Sequence, residues 1–318
     1  MSLAEFIQNK RPTLSAGSVK TYVSTVGSLF RGLYPDETLS VSTIGKLDNP
    51  KKVLDWLGAN KTPASRKPFL SALAVIFNNE AYRNAMLADA KILKKDLDKQ
   101  VMTDEMSENW VSQDDIKKRL DELKKDAFKQ YHSAAPDLQQ IQQYIILCLL
   151  GSQYIQPRRA KDYTDFKIKN INKETDNYIE KNELVFNSFK TAKTAGQQRI
   201  EMPKQLKTIL NKWIKINPTE YLLFDVNGNQ LSSPQLNQRI NKIFGSSTGV
   251  GVNMMRHSFL TEKYGDGLSE AKQKKKELVK DMAAMGTSIA EAKFYIQDDP
   301  SKGHNGPPGP HLGQYKMK

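Results

Sequence analysis

Cysteine, histidine and tryptophan are scarce in this chain of 318 residues, which has one Cys, four His and three Trp. A single thiol, Cys148, cannot close an internal disulfide, and zinc sites built on two or more cysteines are excluded. Long apolar runs are missing as well. The longest, Tyr144 to Leu150, is far short of the roughly 20 residues that span a bilayer. The N-terminal MSLAEFIQNK carries charge where a secretory leader is apolar, and no G-x-x-x-x-G-K-[ST] loop offers a cradle for nucleotide phosphates. The expectation is a soluble intracellular protein with no membrane partner, no cofactor and no metal.

What the chain has is positive charge. Lys and Arg number 48 against 35 Asp and Glu, a formal net charge of +13. The excess is uneven: residues 1–100 carry 15 basic and 9 acidic side chains, residues 101–150 carry 6 and 9, and residues 151–318 carry 27 and 17. Two basic blocks thus flank an acidic one. Such a balance suits a polyanionic partner, because each phosphate neutralised by Lys or Arg releases condensed counterions. It suits a lysine-rich soluble surface equally, so charge alone leaves both readings open.

The length allows about two domains. Val19, Tyr22, Val23, Val26, Leu29 and Phe30 recur at helical spacing behind Ser15 and Ser18 as candidate caps, and further helices are expected over Pro50–Leu57 and Ala64–Phe77. Residues 1–100 therefore read as a small helical domain. Residues 101–111 read as a polar, acidic linker, closed by Ser112-Gln-Asp-Asp as a helix start with acids in its first turn. In residues 112–298, the continuous apolar stretch within Leu138–Gly151 predicts a helix buried on all sides. Short strands are expected at Tyr178–Ile179, Leu184–Phe186, Arg199–Met202 and Leu222–Phe224, the last before an Asn227-Gly228 turn. A small antiparallel sheet in a helical domain follows, with helices from Ser233 through Tyr295. Residues 299–318 are a Pro/Gly-rich tail without a core of its own.

Four separated pieces hold the side chains suited to chemistry. The first is Pro157-Arg158-Arg159-Ala-Lys-Asp162-Tyr163, with Phe166 seven residues after Arg159. Next comes Phe189-Lys190-Thr191-Ala-Lys193, at a strand end in a hairpin. Asn253-Met-Met-Arg256-His257-Ser258-Phe259 follows a glycine-rich GSSTGVGV, and Met285-Gly286-Thr287-Ser288 precedes Tyr295. Each has a plain structural reading too. The arginines could be a surface pair, the lysines ordinary hairpin residues, and Tyr295, between Phe294 and Ile296, a core residue.

Together the pieces resemble the tyrosine recombinase, or phage-type integrase, family over about residues 108–298. That family carries an Arg with an acid three positions on, a hairpin Lys, an H-x-x-R-H-[ST]-F block, an L-G-H-S-like block and then a nucleophilic Tyr. MMRHSF is the most specific match. The resemblance implies an α+β, mostly helical tyrosine recombinase (DNA breaking-rejoining) fold, with an N-terminal helical, SAM-like core-binding domain. It also implies a divergent viral or mobile-element member that acts on double-stranded DNA as a homo-oligomer, a dimer on a site and a tetramer in the synapse. Its compartment is wherever the host DNA lies.

The implied roles make physical sense for phosphoryl transfer without a metal. Arg159 and Arg256 offer forked donors to the non-bridging oxygens of the transition state. Tyr295 attacks phosphorus to form a 3′-phosphotyrosyl link, conserving the bond for another strand to reverse. Lys190, with Lys193 in reserve, protonates the departing 5′-oxygen. Arg158 and Lys193 are expected to touch DNA, Asp162 to brace Arg159, and His257 to be a buried histidine that orients its neighbours. Asn253 and Thr287 stand where the family has His. Either can donate a hydrogen bond, but neither exchanges a proton near neutral pH as His does.

Two other readings stay open: a catalytically impaired DNA-binding protein on the recombinase scaffold, which those two positions favour, and a type IB topoisomerase-like enzyme, which uses the same phosphotyrosine chemistry without paired sites. All three share a basic surface around duplex DNA. Affinity should therefore fall steeply in a salt titration, by about 0.9 log units per neutralised phosphate for each log unit of salt; a salt-independent affinity would contradict the two-block layout.

Overall fold

Capping residues set the helices of the N-terminal unit. In the computed structural model, which describes residues 1–285 apart from Gln100, Ser247 and Thr248, Ser2 and Glu5 form a capping box for α1 (Leu3–Lys10). Ser15 accepts from Ser18 N at 3.2 Å to start α2 (Ala16–Leu33). Asn49 and Thr62 cap α3 (Pro50–Asn60) and α4 (Pro63–Phe77), each with Pro in the first turn, where its missing N–H costs nothing. A left-handed Asn78 ends α4, and α5 (Glu80–Lys99) returns along it. The stripe expected on α2 is the one that packs: Val19, Val26, Leu29 and Phe30 are buried with Leu57, Leu70, Leu73 and Tyr82. This unit spans Met1–Thr103.

A charge pair with one buried member ties two of its helices together. Arg66 on α4 grips Asp89 on α5 through Nε to Oδ2 at 2.6 Å and Nη2 to Oδ1 at 2.5 Å. The Asp89 side chain is almost wholly buried and Arg66 half-exposed.

The second unit begins at Asp104. The acidic stretch expected to be a linker forms the short α6 (Asp104–Glu108), and Trp110 and Val111 pack on the second core, because both are apolar and adjoin it. Ser112 and Asp115 make the capping box of α7 (Gln113–Tyr131), as the acidic first turn predicts; the Ser112 hydrogen bonds hold the Asp115 carboxyl below its ordinary pKa. Against α7 lies α8 (Leu138–Leu150), whose residues from Tyr144 to Leu150 are all buried. After a loop come α9 (Ala160–Thr164) and β1 (Phe166–Lys167), then β2 (Asn177–Glu180) and β3 (Glu183–Phe186). α10 (Ala192–Ala195) lies in the connection to β4 (Gln198–Glu201), and α11 (Lys204–Ile216), α12 (Ser233–Ile243) and α13 (Val252–Ala284) follow.

The sheet has the order β1-β2-β3-β4. β2, β3 and β4 are antiparallel, as expected, in the register Tyr178 to Val185 and Val185 to Arg199. The edge strand β1, which the sequence reading did not include, is parallel to β2. Leu222–Phe224 forms isolated bridges rather than a strand, with Tyr221 and Phe224 meeting Lys167 and Gln230. The turn behind it matches its sequence: Gly228 has φ 82°, and Asp225 Oδ1 accepts from Asn227 N and Asn229 N, both at 2.9 Å. Buried Gln142 on α8 pins this segment, accepting from Phe224 N at 2.7 Å and donating to Phe224 O at 3.0 Å. The described architecture is mostly helical with a small sheet. None of its helices is long and apolar enough to cross a membrane.

Removing one partner of a buried pair strands the other's charge. Arg66→Ala should therefore lower the unfolding free energy by about 3 kcal/mol, read from urea denaturation; an unchanged midpoint would show that the pair is dispensable.

Candidate functional site

Three segments of the second unit present the expected residues, and a different device fixes each. The first is the start of α9. Arg159 is its N-cap, with extended backbone (φ −72°, ψ 156°), and its carbonyl accepts from Asp162 N at 3.1 Å. Its half-buried side chain has no ion pair or hydrogen bond among the described residues. Arg158 differs in every respect. Its Nε donates to Asp162 Oδ2 at 2.9 Å and its Nη1 to Gln198 Oε1 at 2.7 Å. Its guanidinium lies 4.0 Å from the Phe186 ring centroid and 5.1 Å from that of Phe189, and only 15% of the side chain is exposed.

One expectation is thereby corrected. Asp162 braces Arg158 rather than Arg159, because Gln198 and Phe186 hold the Arg158 guanidinium inward beside the carboxylate. Two of the five N–H donors of Arg158, at Nε and Nη1, are taken inside the protein. Burial pushes the Asp162 carboxyl above its ordinary pKa, against the opposing pull of Arg158 and then Arg159. Its Oδ1 is buried without a hydrogen-bond partner among the described residues.

The connection between β3 and β4 is the second segment. Lys190 and Lys193 are both exposed here, Lys190 four residues beyond β3 and Lys193 within α10. Phe189, next to Lys190, is buried against the Arg158 guanidinium, so this lysine's backbone is held beside the start of α9. Buried Asn177 completes the joint. Its Nδ2 donates to Asp162 O at 2.9 Å and Ser188 O at 2.8 Å, while its Oδ1 accepts from Asn187 N at 2.9 Å and Ser188 N at 2.8 Å.

The first turns of α13 are the third segment. Asn237 and Asn241 on α12 hold the glycine-rich loop before it, their Oδ1 atoms accepting from Val252 N at 3.0 Å and Val250 N at 2.8 Å. Two glycines are needed for this approach. Gly249 has φ 91°, and a Cβ there would stand 2.2 Å from the Asn109 side chain; one on Gly251 would stand 2.8 Å from Asn237 Oδ1. Met254, Met255 and Ser258 turn inward and are buried. Asn253, Arg256 and His257, at i, i+3 and i+4, share the other face, where Asn253 and His257 are exposed and Arg256 half-buried. His257 is thus not the buried histidine expected; the phase of the helix gives that place to Ser258. Gln113 on α7 donates to Ser258 Oγ at 2.8 Å and accepts from the Ser152 hydroxyl, linking α13 to the loop that leads to Arg158.

The sequence reading missed Asn177, Gln198, Gln113 and the paired α12 asparagines. Isolated amides carry no periodic signal, and their importance arises from partners distant in the chain. Thr287, Tyr295 and the tail at 299–318 lie outside the described residues. Among the described residues, no three or more His, Cys, Asp or Glu side chains are grouped as metal ligands.

Among solved structures, the chain is similar to a lambda integrase dimer bound to a COC′ core site, at 14% identity and a TM-score of 0.44, over 85% of this chain and 73% of that one. It is similar to XerA recombinase at 15% identity and a TM-score of 0.35, over 94% of each chain. For the XerH site-specific recombinase bound to difH substrate in a pre-cleavage complex, the figures are 16% and 0.36, over 94% and 91%. No protein-family model and no curated protein sequence matches the chain.

The two adjacent arginines should respond differently to truncation. Arg158→Ala strands buried Asp162 and should cost about 3 kcal/mol, whereas Arg159→Ala should shift stability by less than about 0.5 kcal/mol. Equal losses in urea unfolding would overturn this division between them.

Proposed function

We propose that the chain is a site-specific DNA recombinase or integrase of the tyrosine recombinase class, which cleaves and rejoins duplex DNA through a 3′-phosphotyrosine intermediate to integrate or excise a mobile or viral element. One observation carries the reading. Arg159 is a half-buried arginine without an ion pair or side-chain hydrogen bond among the described residues, while its neighbour Arg158 takes up the structural bonds and the Lys190 segment is held alongside. A partly buried cation with its donors unspent is suited to an anionic ligand. Arg256, on the outward stripe of α13, supports the reading as the second guanidinium.

In the proposed reaction the Tyr295 oxygen bonds to phosphorus, and its proton passes to solvent. The bond from phosphorus to the 5′-oxygen breaks, and Lys190 gives that oxygen a proton. Arg159 and Arg256 hold the non-bridging oxygens as charge builds, with Asn253 and Thr287 as hydrogen-bond donors. His257 flanks Arg256 on the exposed face, and Lys193 is the alternative acid. The partner is double-stranded DNA, bound by a dimer on each site and a tetramer in the synapse. A second reading, a DNA-binding protein that keeps this scaffold without its chemistry, is favoured by Asn253, whose amide cannot exchange a proton near neutral pH.

Incubation with nicked duplex DNA bearing the chain's own site separates the two. A covalent protein–DNA adduct is expected on a denaturing gel and should vanish in Tyr295→Phe. An adduct that persists in that variant overturns the nucleophile, and tight binding without an adduct on any DNA favours the scaffold alone.

A further inference from the structure

The connection over residues 187–197 is long for a link between antiparallel strands, and both of its ends meet one side chain. At its start, Phe186 and Phe189 flank the Arg158 guanidinium at 4.0 and 5.1 Å. At its far end, Gln198, the first residue of β4, accepts from Nη1 of the same guanidinium at 2.7 Å. The other hydrogen bond of Arg158, to buried Asp162, fixes the guanidinium to α9, whose N-cap is Arg159. Between these anchors Lys190 and Lys193 stand in solvent. A lysine on an unanchored loop of this length would sample many positions, and ordering it would cost conformational entropy.

We propose that Arg158 is a positioning residue: by clamping both ends of the connection to α9, it fixes where Lys190 stands relative to Arg159. The task assigned to Lys190 rests on the function proposed above, but the clamp itself does not. Arg158 touches no reacting atom, so its effect passes through the lysine. A guanidinium is suited to this place because it bonds in its plane to Asp162 and Gln198 while its faces meet aromatic rings. A lysine ammonium there would keep the charge and lose the fork.

Two measurements on the full chain test the clamp, with Arg158→Gln and the milder Gln198→Ala, which leaves the Arg158–Asp162 pair intact. The first is amide hydrogen exchange, which reports local opening whether or not the protein cuts DNA. In both variants the amides of residues 187–197 should exchange faster, by about tenfold in Arg158→Gln, with α7 and α8 unchanged. Should Arg158→Gln fail to fold, Gln198→Ala decides; wild-type exchange in the connection of a folded variant overturns the proposal.

The second compares cleavage of an ordinary nicked duplex with one whose bridging 5′-oxygen is sulfur, a leaving group that needs no proton. Both variants should be slowed on the oxygen substrate, Arg158→Gln by about 10²-fold, and both should recover on sulfur, as Lys190→Ala should. Equal slowing on both substrates would show that Arg158 acts elsewhere than through the lysine. If the wild-type protein forms no adduct on any DNA, the exchange result still decides the clamp, and it is the proposed function that fails.

Discussion

The second unit turns on the Arg158 guanidinium. A cation this far from water is expensive unless every direction around it is compensated. Here Asp162 and Gln198 take its Nε and Nη1 hydrogen bonds, and its carbon lies over the Phe186 and Phe189 rings. The compensation runs both ways, because buried Asp162 has this arginine as its one ion-pair partner among the described residues. In satisfying one buried pair the chain joins α9, β3, β4 and the connection between the strands. The neighbouring Arg159 is consequently released from structural work.

Rigidity behind the site comes from α8. Its buried run from Tyr144 to Leu150 forms part of the core against which α7 and α11 pack, and Gln142 fastens the Phe224 segment to it. α13 takes its position from this frame through Asn237, Asn241 and the Gln113 bridge. The three segments bearing the candidate residues are therefore set by separate ties to one packed body. A site assembled in this way holds its geometry better than one built within a single loop.

Much of the fold was legible because its signals are local. Ser15 and Ser112 mark the helices they cap, and the strands at Tyr178, Leu184 and Arg199 lie within a residue or two of their expected limits. What escaped depends on distant partners. The two residues of β1 are too few for any pattern and are defined by Asn177 and Tyr178 beside them. Leu222–Phe224 has a strand's composition, yet its backbone is spoken for by Gln142, Phe166 and Trp213. Which of two adjacent arginines turns inward is decided by Asp162, Gln198 and two phenylalanines, and no local rule supplies that answer. The exposure of His257 was readable: with Met254 and Met255 facing the core, helical phase puts Ser258 inside and His257 out.

That phase bears on the chemistry the second unit can perform. The outward stripe of α13 offers the exposed imidazole of His257 beside the amide of Asn253 and the guanidinium of Arg256, and the last two attract a phosphate and donate hydrogen bonds but keep their protons near neutral pH. On the proposed reading, stabilisation by Asn253 and Arg256 is therefore electrostatic, and the proton needed by a departing oxygen must come from another group. The exposed lysines of the connection, which Phe189 holds against the Arg158 guanidinium, are the candidate source on that reading. An acid works only within hydrogen-bond reach of its target, so on that reading a site with an amide at Asn253 depends more on where that lysine stands. The joint formed by Arg158 and Asn177, buried and fully engaged on the connection's side, is the part of the structure that sets this position.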